Sequence, residues 1–81
     1  MIQKDTSYYL HKILDDLRFV DFHTNGIDYA EFAANELLVC SVCFKFVQVP
    51  ENAKKISEST LEAYPNIPWN QINGLRNGIV L

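Results

Sequence analysis

The sequence predicts an all-α fold, an up-and-down helical bundle that forms a single small domain over residues 1–81. Two features support this: apolar residues recur at helical spacing, and capping or proline residues stand where the helices would begin and end. The chain is 48% hydrophobic, 21% charged and carries a net charge of −3. This composition is typical of a soluble globular protein and argues against disorder and against nucleic-acid binding through a large basic field.

The first predicted helix runs from about Lys4 to Thr24. Its expected core face consists of Leu10, Ile13, Leu14, Leu17 and Val20. The helix should end at Asn25-Gly26, because glycine and asparagine readily take the left-handed conformation of a helix cap. A second helix should start at once, with Asp28 as its cap and Glu31 completing a capping box.

The segment from Leu37 to Val49 is rich in Val, Phe and Cys, and part of it alternates like a β-strand. Polar residues in and after it nevertheless follow one helical stripe: Ser41, Lys45, Gln48, Asn52 and Lys55. We therefore predict one long, mostly buried helix that bends at Pro50, where a backbone donor is lost, and ends near Glu62. A strand is the alternative.

The run from Tyr64 to Trp69 contains two prolines and predicts a rigid connector. Pro68 can open a last helix at its first position. The shared apolar face of that helix would be Trp69, Ile72, Leu75 and Ile79. Gly74 and Gly78 weaken it by about 1 kcal/mol each relative to alanine. Trp69 is expected to anchor the core or a dimer interface.

No metal site is predicted, because His11 and Asp15 supply only two ligands and His23 lies twelve residues from His11. Both histidines are expected to face solvent. Cys40-x-x-Cys43 has the spacing of a redox or zinc pair, but it lies inside an apolar helix without a second pair. We expect these cysteines to be buried small hydrophobes in a reducing, cytoplasmic setting.

Three carboxylates of the first helix, Asp15, Asp16 and Asp21, are expected on a solvated face. Ser57 and Ser59 have no nearby histidine that could activate them as nucleophiles. The longest apolar-rich run, about 13 residues, is shorter than the roughly 20 residues that a membrane span needs. The sequence therefore predicts no membrane segment.

Two motifs resemble a known family. Tyr64-Pro-x-Ile-Pro-Trp69, followed by Gly74-Leu75-Arg76-Asn77, is similar to the HepT-like family of the HEPN superfamily. Tyr9-Leu10-x-x-Ile13-Leu14 resembles that family's first helix, and residues 52–57 resemble the end of its long helix. The resemblance implies a small all-helical protein, the ribonuclease toxin of a bacterial toxin–antitoxin pair whose partner is a minimal nucleotidyltransferase.

The resemblance also implies a catalytic motif: an Arg, four to six residues, a His, any residue and a Tyr. Arg76 matches the Arg, and Asn77 matches the residue that usually follows it. Leu81 stands where the His is expected, and the Tyr position is absent. The bundle is therefore expected to be C-terminally truncated, without its last helix, and the route of neutralisation by adenylation of the Tyr would be closed.

The missing histidine matters because metal-independent RNA cleavage needs a residue that takes the 2′-hydroxyl proton and one that protonates the leaving oxygen. General acid–base catalysis typically increases the reaction rate roughly 10²–10⁴-fold. Arg76 could stabilise charge on a phosphate, but Leu81 cannot move a proton. The resemblance implies no cofactor. The sequence thus predicts a weak or inactive ribonuclease.

A truncated bundle should leave Leu75, Ile79, Val80 and Leu81 underburied, and a homodimer would cover them. The resemblance implies that such a dimer forms beside the Arg-containing motif. Besides a second copy, the resemblance implies RNA and a nucleotidyltransferase as partners. The alternative is a non-catalytic helical protein-interaction module without an RNA role. An active ribonuclease would need a chain that continues past Leu81.

Overall fold

The computed structural model describes residues 5–78, and the predicted all-α fold is confirmed. The helices are α1 (Thr6–Thr24), α2 (Tyr29–Ala34), α3 (Glu36–Ala53), α4 (Glu58–Ala63) and α5 (Trp69–Asn73), followed by a 3₁₀ turn, Leu75–Gly78. Residues 5–78 contain no strand, so the strand alternative for residues 37–49 is wrong.

Local capping explains where the first four helices begin. Each starts after a residue whose side chain accepts a hydrogen bond from a backbone N–H three residues later: Asp5, Asp28, Asn35 and Ser57. The predicted cap at Asp28 is confirmed by its 2.8 Å bond from the Glu31 N–H. Gly26 takes the left-handed conformation, with φ of +80°, and turns the chain between α1 and α2.

The predicted long helix does not reach Glu62, because α3 ends at Ala53 and α4 is a separate element. Ser57 breaks the pattern: its backbone is extended (ψ 147°), and its side chain caps α4. Such a local bond offers the backbone an alternative to the helix. The last helix is also interrupted, since α5 stops before Gly74 and continues only as the 3₁₀ turn.

Helices α1 and α3 pack antiparallel and form the body of the fold. Lys55, just after α3, lies over the Tyr9 ring near the start of α1, at 5.4 Å from its centroid. Lys45, in the middle of α3, contacts Asp16 further along α1. Early positions of α1 therefore face late positions of α3, which is the up-and-down arrangement that the sequence predicts.

The core lies at one end of this pair. Its buried residues are Ile13, Val49, Ala53 and Ile56. Partly buried side chains from α1 and from the segment after α3 close around them: Tyr9, Leu10, Leu61, Trp69, Ile72 and Leu75. The expected core role of Trp69 is confirmed, and its indole N–H donates to the Tyr64 carbonyl at 3.1 Å. Ile79, Val80 and Leu81 lie outside the described residues.

The predicted core face of α1 is only partly buried. Ile13 is 6% exposed, but Leu14 and Leu17 are 42% and 37% exposed. One neighbouring helix, α3, provides most of the contacts of α1 and covers only a narrow strip. The radius of gyration, 14.1 Å, exceeds the roughly 12 Å of a compact domain of this length, so the bundle is open.

Asp16 contradicts the expected solvated face of α1. It is 3% exposed, and its carboxylate accepts a 3.0 Å charged hydrogen bond from Lys45 of α3. Asp15 and Asp21 are exposed as expected. The pattern of α1 alone could not identify the ion pair, because the partner lies 29 residues away. The available signal was Lys45 itself, since a lysine within an apolar run needs an acidic partner when it is buried.

Candidate functional site

The two residues matched to the catalytic motif lie together on the 3₁₀ turn that follows α5. Leu75 packs against the core cluster and so fixes the turn to the body of the protein. The next two residues, Arg76 and Asn77, are exposed. The Asn77 N–H donates to the Gly74 carbonyl at 3.0 Å, which closes the turn and holds the backbone beside Arg76.

Arg76 has a guanidinium group that makes no ion pair or hydrogen bond within residues 5–78. The ion pairs in that range join Lys45 to Asp16 and Lys54 to Glu51. A guanidinium carries five N–H donors in a fork that matches two oxygens of a phosphate or carboxylate. The turn therefore presents an accessible anion-binding side chain on an anchored backbone.

An apolar groove of about 450 Å³ adjoins this turn, between α2, α3 and α5. Its lining residues are Phe32, Val42, Cys43, Phe46, Gln71, Gly74 and Leu75. Leu75, the residue before Arg76, belongs to both the groove and the turn. Among these residues only Gln71 carries a polar amide, so the groove itself suits apolar groups.

The two histidines of the chain lie on α1, and both are exposed, as predicted. The Nδ1 atom of His11 lies 2.8 Å from the Ser7 carbonyl oxygen, and the His23 ring lies 4.3 Å from the Phe19 ring. No hydrogen bond in the described part of the chain joins either histidine to Arg76. Leu81, the residue at the expected His position, lies outside the described residues.

The cysteine pair differs from the prediction. Cys40 is exposed, and Cys43 is half-buried in the wall of the groove; both are free thiols. The expected burial is wrong for Cys40 because the outer side of α3 has no covering element within residues 5–78. That part of the chain also contains no group of three potential metal ligands.

Ser57 and Ser59 have structural contacts rather than an activating base. The Ser57 hydroxyl lies 2.9 Å from the Thr60 hydroxyl and 3.5 Å from the Thr6 hydroxyl, so it links the start of α4 to the start of α1. Ser59 contacts Ser57 at 3.3 Å.

None of the helices described over residues 5–78 is long and apolar enough to cross a membrane.

Comparisons with known proteins identify a family and several relatives. A family model described as "Ribonuclease HepT-like" matches residues 13–81. The chain is 31% identical over 80 residues to "Putative RNase MJ1380" of Methanocaldococcus jannaschii, covering 99% of this chain and 73% of that protein. It is 29% identical over 80 residues to "Putative RNase MJ0125" of the same organism, covering 99% and 69% of the two chains.

A more distant relative comes from another organism. "Putative RNase TTE0752" of Caldanaerobacter subterraneus subsp. tengcongensis is 24% identical over 72 residues, which cover 89% of this chain and 64% of that protein. No solved structure matches the chain. The family model alone spans most of the sequence, from the first half of α1 through the Arg76 turn. The chain therefore belongs to the HepT-like ribonuclease family.

Proposed function

We propose that this chain is a HepT-like toxin-type protein that binds RNA phosphate through Arg76 and cleaves RNA weakly or not at all. The proposal rests mainly on the accessibility of the Arg76 side chain. Its guanidinium is exposed and has no ion pair within residues 5–78, while the neighbouring Leu75 anchors the turn to the core. An arginine placed in this way can bind two phosphate oxygens without first breaking a contact within the protein.

The chemistry at position 81 supports the second half of the proposal. At the shortest motif spacing the histidine would stand at position 81, and this position is a leucine. An Arg stabilises the charge on the phosphate in the transition state, whereas the 2′-hydroxyl proton needs an acceptor such as imidazole. At the shortest motif spacing, Arg76 therefore supplies the charge-stabilising part of the reaction, whereas the side chain of Leu81 cannot transfer a proton.

Dimerisation and a nucleotidyltransferase partner are part of the proposal. Exposed apolar side chains support association of some kind: Leu37 is 79% exposed, Phe44 58% and Tyr29 83%. Net charge does not favour an extended RNA interface, so the proposed RNA contact is local to Arg76. A cytoplasmic location follows from the proposed RNA substrate and from the free cysteines Cys40 and Cys43.

A helical protein-interaction module without an RNA role is the second candidate. The same exposed apolar residues favour it, because large apolar side chains in solvent commonly mark surfaces that bind other proteins. The two candidates differ in what they require of Arg76. The RNA-binding function requires its guanidinium, whereas an interaction through apolar side chains of α2 and α3 does not.

The experiment that separates them measures the affinity of the chain for a short single-stranded RNA by fluorescence anisotropy. Arg76→Ala should raise the Kd by at least about tenfold, since a hydrogen bond to a charged group contributes roughly 1.5–3 kcal/mol. Arg18→Ala is the matched control, because Arg18 is an exposed arginine on α1. Equal affinities for the two variants, or no RNA binding by the unchanged protein, would contradict the RNA-binding proposal.

A further inference from the structure

A second apolar groove lies at the end of the molecule where α1 leads into α2, between the end of α1, α2 and the inner side of α3. We call it the end groove. Its volume is about 330 Å³. Helix α2, which forms one wall, has no buried residue and therefore covers the apolar side of α3 only in part. The apolar and aromatic residues of its lining are Val20, Ile27, Tyr29, Phe32, Val42 and Phe46.

The two polar side chains in the lining of the end groove bond within the protein. The Thr24 hydroxyl donates to the Val20 carbonyl at 2.7 Å, and the Asp28 carboxylate accepts the Glu31 N–H at 2.8 Å. Tyr29 is 83% exposed, so its ring stands at the rim rather than in the interior. The end groove therefore suits a large apolar side chain, with an aromatic ring and a negative charge beside it.

The elements around the end groove carry an excess of negative charge. Residues 19–44 contain four of the ten acidic residues of the chain and none of its seven lysines and arginines. All four are exposed, and none belongs to the ion pairs found within residues 5–78, which involve other carboxylates. The four are Asp21, Asp28, Glu31 and Glu36.

The cations that flank this segment do not cancel its charge. Lys45 already pairs with buried Asp16 at 3.0 Å. Arg18 precedes the groove residue Val20 by two positions, which places the two side chains on opposite sides of α1. The acidic residues around the end groove are therefore available to a positively charged partner.

This combination of apolar surface and negative charge discriminates between occupants. RNA and anionic lipid surfaces are themselves negatively charged and would be repelled. A second copy docked through the same face would bring the acidic residues of both copies together, and like charges across an interface disfavour association. A basic segment of another protein matches both the apolar lining and the charge.

We propose that the end groove docks a basic amphipathic segment of a partner protein. A large apolar side chain of that segment enters the groove beside Tyr29, and the lysines or arginines that flank it face Asp21, Asp28 and Glu31. Docking of an apolar helical face into a groove is a common mode of peptide recognition, and exposed tyrosines commonly act as anchors in such contacts. The proposal goes beyond the RNA contact at Arg76 and does not depend on it.

Fluorescence anisotropy with a labelled peptide tests the charge complementarity. The probe is a short amphipathic peptide with leucines on one helical face and lysines on the other, and the matched peptide carries glutamates in place of the lysines. The unchanged chain should bind the lysine peptide at least about tenfold more tightly than the glutamate peptide, because only the lysine peptide complements the acidic rim. Equal affinities, or no binding of the lysine peptide, would overturn the proposal.

A tyrosine substitution tests the position of the docking site. Tyr29→Ala should raise the Kd for the lysine peptide at least about fivefold, since it removes an aromatic side chain from the contact. Tyr64→Ala is the matched control, because Tyr64 is 56% exposed and lies after α4, outside the end groove. Circular dichroism verifies that both variants remain helical. A Tyr29→Ala variant that binds the peptide like the unchanged chain would contradict the proposed site.

A pair of charge-matched variants separates local from general attraction. Asp21→Asn combined with Glu31→Gln should raise the Kd about two- to tenfold, as expected for two exposed charge contacts. Asp15→Asn combined with Glu62→Gln removes the same charge from exposed positions outside the groove lining and should have a smaller effect. Equal losses for the two double variants would show attraction to net charge alone and would overturn the proposal.

Two further measurements with Tyr29→Ala detect other occupants. If the substitution converts a dimer of the unchanged chain into monomers in sedimentation, a second copy occupies the end groove and the proposal is wrong. If it lowers the affinity for single-stranded RNA as much as Arg76→Ala does, RNA occupies the groove and the proposal is likewise wrong. We expect neither change. Peptide and RNA affinities are measured separately, so failure of the RNA-binding proposal is distinguishable from failure of this one.

Discussion

The two ends of α3 differ in how completely they are packed. Towards its C-terminal end, Val49 is fully buried and Ala53 is 4% exposed, in the core formed with α1 and the segment that follows α3. Towards its N-terminal end, Leu37 and Phe44 are largely in solvent, and a charged pair lies on the inner side. The same helix therefore contributes a closed core at one end and an open apolar surface at the other.

This difference follows from where the short elements fold back. After α3 the chain turns at Ser57, and Leu61, Trp69 and Ile72 all return to the end of α3 that carries Val49. The other end has α2 as its short neighbour, and α2 has no buried residue. Stability should therefore depend mainly on the closed end, and association on the open end.

The largest expected effect is at the closed end. Ile56→Ala removes a side chain that is 5% exposed within the core cluster, and the free energy of unfolding should fall by about 3 kcal/mol. Urea denaturation followed by circular dichroism measures this loss at a low protein concentration. Leu37→Ala is the control at the open end and should change stability by less than about 0.5 kcal/mol. Similar losses for both variants would contradict the difference between the ends.

An intermediate loss of stability is expected at the ion pair between Lys45 and Asp16. Lys45→Met leaves the buried carboxylate of Asp16 without a partner, and unfolding should become easier by about 2 kcal/mol. The double variant Asp16→Leu, Lys45→Met should recover most of this loss, because no unpaired charge then remains. Chemical denaturation of the single and double variants measures the coupling. An additive double variant would show that the pair does not interact.

The smallest expected effect is at the break between α3 and α4. Ser57→Ala removes the cap of α4 and the contact with Thr6, so stability should fall by about 1 kcal/mol. Ser59→Ala should have little effect, since the Ser59 hydroxyl contacts only the hydroxyl of Ser57 among the described residues. A thermal melt of each variant compares the two. A larger loss for Ser59→Ala would contradict the role of Ser57.

Local features of the fold could be predicted from the sequence. The cap at Asp28 and the turn at Gly26 depend on neighbouring residues, and both predictions are confirmed. The predicted continuous helix is wrong at Ser57, because a serine within an apolar periodicity fits a helix interior as well as a cap. The burial of Asp16 and the exposure of Cys40 could not be predicted, since both depend on which elements cover α1 and α3.

In the candidate site, too, some features follow from the local sequence and others depend on the fold. Arg76 and Asn77 were found through a motif, and the structure places both on one exposed turn. Neither composition nor periodicity distinguishes Arg76 from Arg18, another exposed arginine of the chain. The distinguishing features are the motif Gly74-Leu75-Arg76-Asn77 and the anchoring of the turn by Leu75. The accessibility of the Arg76 guanidinium could be established only from the folded structure.

The measurement that tests the proposed function most directly is RNA cleavage. The purified chain and its Arg76→Ala variant are incubated with a mixed RNA pool in EDTA, which inactivates contaminating metal-dependent nucleases, and fragments are followed by gel electrophoresis. The proposed function predicts little or no cleavage by either protein. Clear cleavage by the unchanged chain, abolished by Arg76→Ala, would contradict it and show that a working ribonuclease site forms despite Leu81.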